Sequence, residues 1–272
     1  MKQVITSIIY ISCVLCISFF TINTQCFARF PQTETIGFSQ TKTIIKFATE
    51  ATYPPFEYFT PEGKIQGFDI DVMNAVCKEI GATCTITHQP FDSLIPSLKL
   101  GKFDAIIAAM AITDKRAKQV DFTNPYYIDT VHFVAAKKSK LVISNDGLKG
   151  KAIGVQGGTT FQQYVKDIYG NIVKIKPYES NEQGLLDLKN GRIDAYFCDT
   201  PFITQWLKKG NNKDYTIVGK PIESQKYFGS GNGIAVKKGN KELLDALNKA
   251  IAKLKADGTL KKLEQKYFGT EK

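Results

Sequence analysis

Histidine is nearly missing from this chain. His88 and His132 are the only two in 272 residues, and neither lies at ligand spacing, which argues against a metal site. With two histidines and no Gly-x-Ser-x-Gly turn, no nucleophilic triad can be assembled. No Gly-Lys-Ser/Thr closes the one glycine-rich turn of interest, so a P-loop is excluded, and the dinucleotide pattern fails there at its third glycine. The formal charge of +10 comes without a basic run interleaved with aromatics. Lysines such as Lys249, Lys253, Lys255, Lys261 and Lys262 are scattered over helix faces instead. That pattern disfavours nucleic acid and reads as solvated surface, with attraction to an anionic membrane surface a softer alternative. Neither disorder, nor a collagen-like repeat, nor a disulfide-dense miniprotein fits the composition. What is present is 43% hydrophobic content, enough for a packed core in one large domain or two modest ones. Helix and strand signals mix along the chain, so the expected class is α/β.

The cysteines are fewer than they first look. Six occur, but Cys13, Cys16 and Cys26 fall in an N-terminal segment with the form of a secretory signal peptide. Lys2 precedes an apolar stretch from Val4 to Phe20, a polar Thr21-Ile22-Asn23-Thr24-Gln25 follows, and small Cys26 and Ala28 precede a candidate cut. The apolar run is short for a span, which disfavours an uncleaved anchor. Neither Cys16 nor Cys26 has the small residues before it that a lipoprotein needs. Export is the reading. The mature chain keeps Cys77, Cys84 and Cys198. Cys77 and Cys84 flank a helix end and a strand start, with Gly81 between them, and an oxidising compartment favours a local disulfide there. Cys198 reads as a buried small hydrophobe.

A polar lead-in covers 29–42, and order begins with a strand at 44–48. Val72, Met73, Val76 and Ile80 predict a helix over 69–80 that stops at Gly81. Asp92 is expected to cap the next helix, with Pro96 inside its first turn, where a missing N–H costs nothing, and Gly101 at its end. Asp104 to Ala108 reads as a buried strand. One unit then recurs: Leu98-Lys99-Leu100-Gly101-Lys102-Phe103-Asp104-Ala105 is echoed by Leu188-Lys189-Asn190-Gly191-Arg192-Ile193-Asp194-Ala195. Matching αβ units favour two lobes of similar build. The second lobe is expected to hold strands at 152–155 and 172–175 and helices at 160–169 and 200–208. The tail adds a strand at 233–236 and two amphipathic helices, the first over 241–256. Chain economy returns this tail to the first lobe. Lobe 1 is then 43–131 plus 225–272, lobe 2 is 132–224, and the chain crosses a hinge twice.

Several residues could carry binding chemistry. Gly154-Val155-Gln156-Gly157-Gly158-Thr159-Thr160 leaves a strand and opens a helix, so its N–H groups can cradle a small anion or simply make a glycine-rich βα turn. Arg116, after the helix-capping Thr113, can pair with a carboxylate or lie on the surface. Asp199 ends a strand, where it suits an ammonium group or caps the following helix. Tyr53, Phe56 and Phe91 offer aromatic faces for a ligand or for the core.

Seven ordered motifs tie these residues together. They are Tyr53-Pro54-Pro55-Phe56-Glu57, Gly67-Phe68-Asp69-Ile70-Asp71, Phe91 to Leu98, Ile112-Thr113-Asp114-Lys115-Arg116, Asp121 to Tyr127, Gly191 to Ala195, and Tyr227-Phe228-Gly229. The set resembles the periplasmic solute-binding proteins of polar amino-acid ABC importers, closest to the arginine, lysine/arginine/ornithine and histidine binders. It runs from about Thr43 to the end. The resemblance implies a two-lobed periplasmic-binding-protein fold of type II, each lobe a mixed sheet flanked by helices. It implies no catalysis, no cofactor, a monomer in the periplasm, and a membrane permease as partner. Arg116 would bind the ligand carboxylate with backbone N–H groups of Ala111 and Thr160, beside Thr159. Asp199 would take the α-ammonium with a carbonyl near Ala109, Tyr53 and Phe91 would sandwich the side chain, and Glu50 would face its cationic end. Cys77 and Cys84 match a disulfide of the basic-amino-acid branch. Ala108, Ala109 and Ala111 depart from hydroxyl residues common in the family, and Phe161 from a polar one, which leaves ligand rank open.

The reading is a hinge-closing receptor for L-arginine or another basic amino acid. Two rivals stand beside it: a cyclohexadienyl dehydratase-like enzyme, for which Glu50 is the suggestive acid, and a binder of glutamine or another polar amino acid. A sensor or adhesion module is disfavoured because no transmembrane helix or signalling domain follows the tail.

Overall fold

The computed structural model describes residues 43–269. The expected signal peptide over 1–28, with its three cysteines, and the lead-in over 29–42 lie outside the described residues. The first stretch holds β1 (Ile44–Thr49), β2 (Thr52–Tyr53), β3 (Glu57–Phe59), β4 (Ile65–Gln66), α1 (Phe68–Ile80) and β5 (Thr83–His88). It continues through α2 (Phe91–Lys99), β6 (Ala105–Ile106), α3 (Asp114–Ala117) and β7 (Val120–Phe122). The middle stretch has β8 (Val131–Ala136), α4 (Asn145–Leu148), β9 (Ala152–Gln156), α5 (Thr160–Tyr169) and β10 (Lys174–Tyr178). After these come α6 (Asn181–Lys189), β11 (Ala195–Asp199), α7 (Thr200–Lys208) and β12 (Tyr215–Ile222). The last stretch adds α8 (Gln225–Phe228), β13 (Ala235–Lys237), α9 (Lys241–Ala256) and α10 (Thr259–Phe268).

Two five-stranded mixed sheets result, ordered β5-β1-β6-β13-β7 and β10-β9-β11-β8-β12, with a small β2-β3-β4 sheet beside the first. β1 runs parallel to β5 and β6, and β9 parallel to β10 and β11. The strands β13, β8 and β12 supply the antiparallel pairings. The chain leaves the first sheet after Phe122 and re-enters it at Ala235, so two crossings join the lobes. In the tail, β13 completes the first sheet, while α9 and α10 pack on α1. α8 packs on α5, where Tyr227 Oη donates to Asp167 Oδ2 at 3.1 Å.

The local reasons are mostly those the pattern implies. α1 buries Phe68, Val72, Met73 and Val76, and Gly81 ends it at a φ of 76°, a left-handed conformation that glycine adopts without strain. β8 and β11 do not alternate because Val131 to Ala135 and Ala195 to Asp199 are all buried, mostly apolar residues with His132 and Asp199 among them. The repeated Asp-Ala unit has one structural role in both lobes. Asp104 Oδ2 accepts the Lys46 N–H of β1 at 2.8 Å, and Asp194 Oδ2 accepts the Ala152 N–H of β9 at 2.8 Å. Each carboxylate thus satisfies a backbone donor at the start of a neighbouring parallel strand.

One helix starts earlier than the sequence suggests. α2 begins at Phe91 after Pro90, no side chain caps it, and Asp92 lies inside the first turn. Pro96 therefore sits past the first turn, and the carbonyl of Asp92 loses its intrahelical N–H. Both residues are exposed, so water takes that bond and the helix persists. The strand expected at 172–175 begins two residues later, at Lys174. Cys77 and Cys84 are joined by a disulfide across the α1–β5 turn, and Cys198 is free and buried.

Candidate functional site

The ends of the parallel strands from both sheets face one cleft. Its walls are Glu50, Tyr53, Phe91, Ala108, Ala109, Ala111, Arg116, Asp129, Gln156, Thr159, Thr160, Phe161, Asp199, Phe228 and Asn232. Glu50, Tyr53, Phe91, Ala109, Ala111, Arg116, Thr159, Thr160 and Asp199 all line it, whereas Phe56 is buried in the core. The location, outside the carboxyl ends of strands, is where open α/β sheets hold small ligands.

From the first lobe, α3 carries Arg116, and the Thr113 hydroxyl accepts the Arg116 N–H at 3.3 Å to start that turn. The guanidinium is buried rather than on the surface. It donates to the Ala111 carbonyl at 3.1 Å and sits 5.2 Å from the centre of the Phe91 ring, a cation–π distance. Burial lowers its pKa to about 10, and Asp199 partly opposes that shift. It stays cationic at neutral pH, and none of the ion pairs among the described residues uses it.

Among the described residues Ala109 is one of two non-glycine residues with positive φ, at 42°. Its N–H donates to Asp69 Oδ2 at 2.6 Å, which helps offset the roughly 1–2 kcal/mol cost of that conformation. Asp69 also accepts from Tyr126 Oη at 2.8 Å. Glu57 faces it, and burial pushes the Glu57 carboxyl well above the carboxylate range, so it stays protonated and bonds Asp69.

From the second lobe, Thr159 caps α5: its Oγ1 accepts the Gln162 N–H at 3.3 Å and donates to the Gln156 carbonyl at 2.7 Å. The helix N-terminus and the Thr160 residue that opens it then border the cleft. Gly158, at a φ of 72°, allows this turn to approach the other lobe: a Cβ there would lie 3.0 Å from Asp92 Cβ. Asp199 occupies the cap position of α7 but makes no capping bond. Its Oδ2 instead accepts from Tyr53 Oη at 2.7 Å, a buried bond between lobes. Burial and then the nearby Asp129 raise the Asp199 pKa well above normal. A cation brought beside it returns the group to its charged form and gains that attraction.

Glu50, just beyond β1, is 3% exposed. Thr52 Oγ1 donates to its Oε1 at 2.8 Å, and Gln156 Nε2 reaches both carboxylate oxygens at 2.8 Å from the other lobe. Burial dominates and moves its pKa up to about 7. Of the two expected aromatic walls, Tyr53 stacks on Phe202 at 4.6 Å, and Phe91 already carries the Arg116 guanidinium.

Sequence reasoning missed Gln156, Asp129 and Asn232. Gln156 was legible only as part of a glycine-rich backbone motif, although a polar residue ending the apolar run Ala152 to Val155 is a signal in itself. Asp129 and Asn232 lie in the two crossings and meet there, with Asn232 Nδ2 donating to Asp129 Oδ2 at 3.3 Å. They are far apart in sequence, and no motif links them.

The family model for bacterial extracellular solute-binding proteins, family 3, matches residues 45–270. The putative ABC transporter arginine-binding protein 2 of Escherichia coli K12 is 48% identical over 235 residues, 85% of this chain and 95% of that one. The ABC transporter arginine-binding protein 1 of the same strain is 46% identical over 224 residues, 82% of this chain and 90% of that one. Among solved structures, a Salmonella typhimurium periplasmic binding protein described for its high arginine specificity superposes with a TM-score of 0.78. It is 43% identical, over 83% of this chain and 99% of that one.

Proposed function

The chain belongs to the bacterial extracellular solute-binding proteins of family 3, and on that premise we propose that it captures L-arginine, or a similar basic amino acid, between its lobes. It would deliver that ligand unchanged to an ABC permease. The location that goes with this role is the periplasm. Among the described residues no helix is long and apolar enough to cross a membrane.

One observation carries the reading: a single cleft is lined by a buried guanidinium from one lobe, a buried carboxylate from the other, and a third charged group, Glu50. Arg116 and the α5 N-terminus suit an α-carboxylate, because both are preorganised and electropositive. Asp199 suits the α-ammonium. Glu50 suits the cationic end of the side chain, with Tyr53 and Phe91 as aromatic walls nearby. A guanidinium against such rings gains roughly 0.5–2 kcal/mol. The names of the relatives, arginine-binding proteins of ABC transporters, support the same ligand class.

Closure follows from the contact geometry. Only contacts that exist with the lobes together can shift the equilibrium toward closure, and a zwitterion held by Arg116 and Asp199 supplies one on each side.

The test is titration calorimetry on protein stripped of ligand by unfolding and refolding. L-Arginine should bind more tightly than L-glutamine and L-citrulline. Arg116→Ala should weaken arginine by at least about 100-fold, the usual scale for removing one partner of a buried charge pair. Near-normal affinity in that variant overturns the site.

A further inference from the structure

Gln156 is the group from the second lobe that reaches Glu50, and its orientation is set by a chain of partners. Its Nε2 also donates to the Glu179 carbonyl at 3.2 Å, an oxygen that can only accept. The amide nitrogen must therefore face Glu50 and Glu179, and the amide oxygen must face Asn181. Asn181 Nδ2 donates to that oxygen at 2.8 Å, and Tyr196 Oη donates to Asn181 Oδ1 at 2.8 Å. Asn181 and Tyr196 are fully buried. Each donor and acceptor in the row fixes the next, so Gln156 cannot turn its oxygen toward Glu50 without breaking the whole series.

Resting on the proposed role of Glu50 as counter-charge, we propose that Gln156 is a positioning residue that keeps Glu50 ionised when the lobes close, and so sets the preference for cationic over neutral ligands. A carboxylate has about four acceptor positions. Thr52 donates to Oε1, and Gln156 shares between Oε1 and Oε2 the one N–H that Glu179 does not take, which leaves a position on Oε2 for a ligand N–H. The other charged groups near Glu50 act against ionisation: Asp92 on α2 and Glu182 on α6 both raise its pKa, as does burial, while Gln156 and Thr52 lower it. Gln156 is thus the chief local influence that opposes neutralisation. The bond spans the lobes, and with it in place Glu50 is shut off from water.

The sign of the pH effect follows. A ligand cation needs Glu50 ionised, and with Gln156 against it the Glu50 pKa is about 7. Arginine affinity should be highest at pH 8 or above and fall as pH drops through 7, while citrulline, its neutral isostere, should follow no such curve. Gln156→Leu removes hydrogen bonds to the charged form and should move the inflection up by about one to two pH units.

The experiment is calorimetry with L-arginine and L-citrulline from pH 5.5 to 8.5 on the wild type, Gln156→Leu and Asn181→Leu. In Gln156→Leu, arginine should weaken about 5–50-fold at pH 7 and no more than about fourfold at pH 8.5, with citrulline within about threefold throughout. Asn181 does not line the cleft, yet its replacement strands the Gln156 oxygen without a donor and should displace the inflection in the same direction. If Gln156→Leu fails to fold, the Asn181→Leu curve decides alone. Parallel losses for both ligands at every pH, or an unmoved inflection, overturn the proposal. A wild type that does not prefer arginine to citrulline at pH 8 overturns the functional reading itself, and that result is visible before any variant is made.

Discussion

Tyr53→Phe isolates closure from folding. The Tyr53 hydroxyl, on β2 of the first lobe, donates to Asp199 at the end of β11 in the second, at 2.7 Å. Both residues are buried. The phenylalanine ring can keep the stacking on Phe202 at 4.6 Å and on Phe56 at 5.6 Å, so the change deletes one oxygen and little packing. With a ligand ammonium beside it Asp199 is ionised, and a hydrogen bond to a charged acceptor is worth about 1.5–3 kcal/mol. Because the bond joins two lobes, its loss falls on the closed state and leaves each lobe's own core intact. A competing effect exists, since the hydroxyl also occupies an oxygen that the ligand ammonium can use. The carboxylate has about four acceptor positions, so the two donors need not exclude each other, and the loss of the bond should win. At 1.4 kcal/mol per decade, arginine affinity should fall by about 10–150-fold. Calorimetry at pH 7.5 measures this, alongside a thermal melt of the empty protein. A melting midpoint within about 4 °C of wild type is expected, the shift that roughly 1 kcal/mol gives at this chain length. Unchanged affinity would refute the reasoning, and so would a melt that drops in proportion to the lost binding.

Two further outcomes are expected. Glu50→Gln keeps the shape of the side chain and removes its charge, so arginine should weaken by about 30-fold or more while glutamine changes little, as competition calorimetry would reveal; equal losses remove the case for a counter-charge. Replacing Cys77 and Cys84 together by serine opens a bridge of sequence separation 7 and should cost about 2–3 kcal/mol in urea unfolding. That bridge lies at the α1–β5 turn, outside the cleft walls, so arginine affinity should stay within about twofold; a matching loss of affinity would contradict a purely structural role.

Legibility in the sequence followed the range of the physics involved. The helix over 160–169 and the helix over 241–256 were readable to the residue because a cap, an apolar stripe and a stop signal all lie within one segment. The repeat around Asp104 and Asp194 was readable as repetition, but its cause was not: each carboxylate bonds a strand distant in sequence. Pro96 misled because a proline is tolerated past the first turn when the orphaned carbonyl faces water, and exposure is not written in the local sequence. In the site, Arg116, Asp199 and Glu50 were reachable through ordered motifs. Gln156 was not, because its importance arises from Asn181 and Tyr196, whose side chains meet it only after α6 and β11 have folded. Asp129 and Asn232 depend on two crossings coming together and could be found only from topology.

The same distinction between local and global explains how a chain of formal charge +10 can favour a cationic ligand. In the salt bridges the lysines are exposed, with Lys151, Lys238, Lys253 and Lys266 showing 43–60% of their side chains, and salt screens such charges within about 8–10 Å. Glu50 and Asp199 are 3% and 5% exposed, so their fields act through protein rather than water. Arg116 offsets one of them, and a zwitterion brings no net charge to the Arg116–Asp199 pair. The side-chain cation therefore meets Glu50, with Asp129 also at the cleft wall and no lysine among the lining residues. If surface charge governed recognition, arginine affinity would rise steeply with added salt as lysine repulsion is screened. If the buried carboxylates govern it, as their burial requires, affinity should change little with salt and strongly with pH.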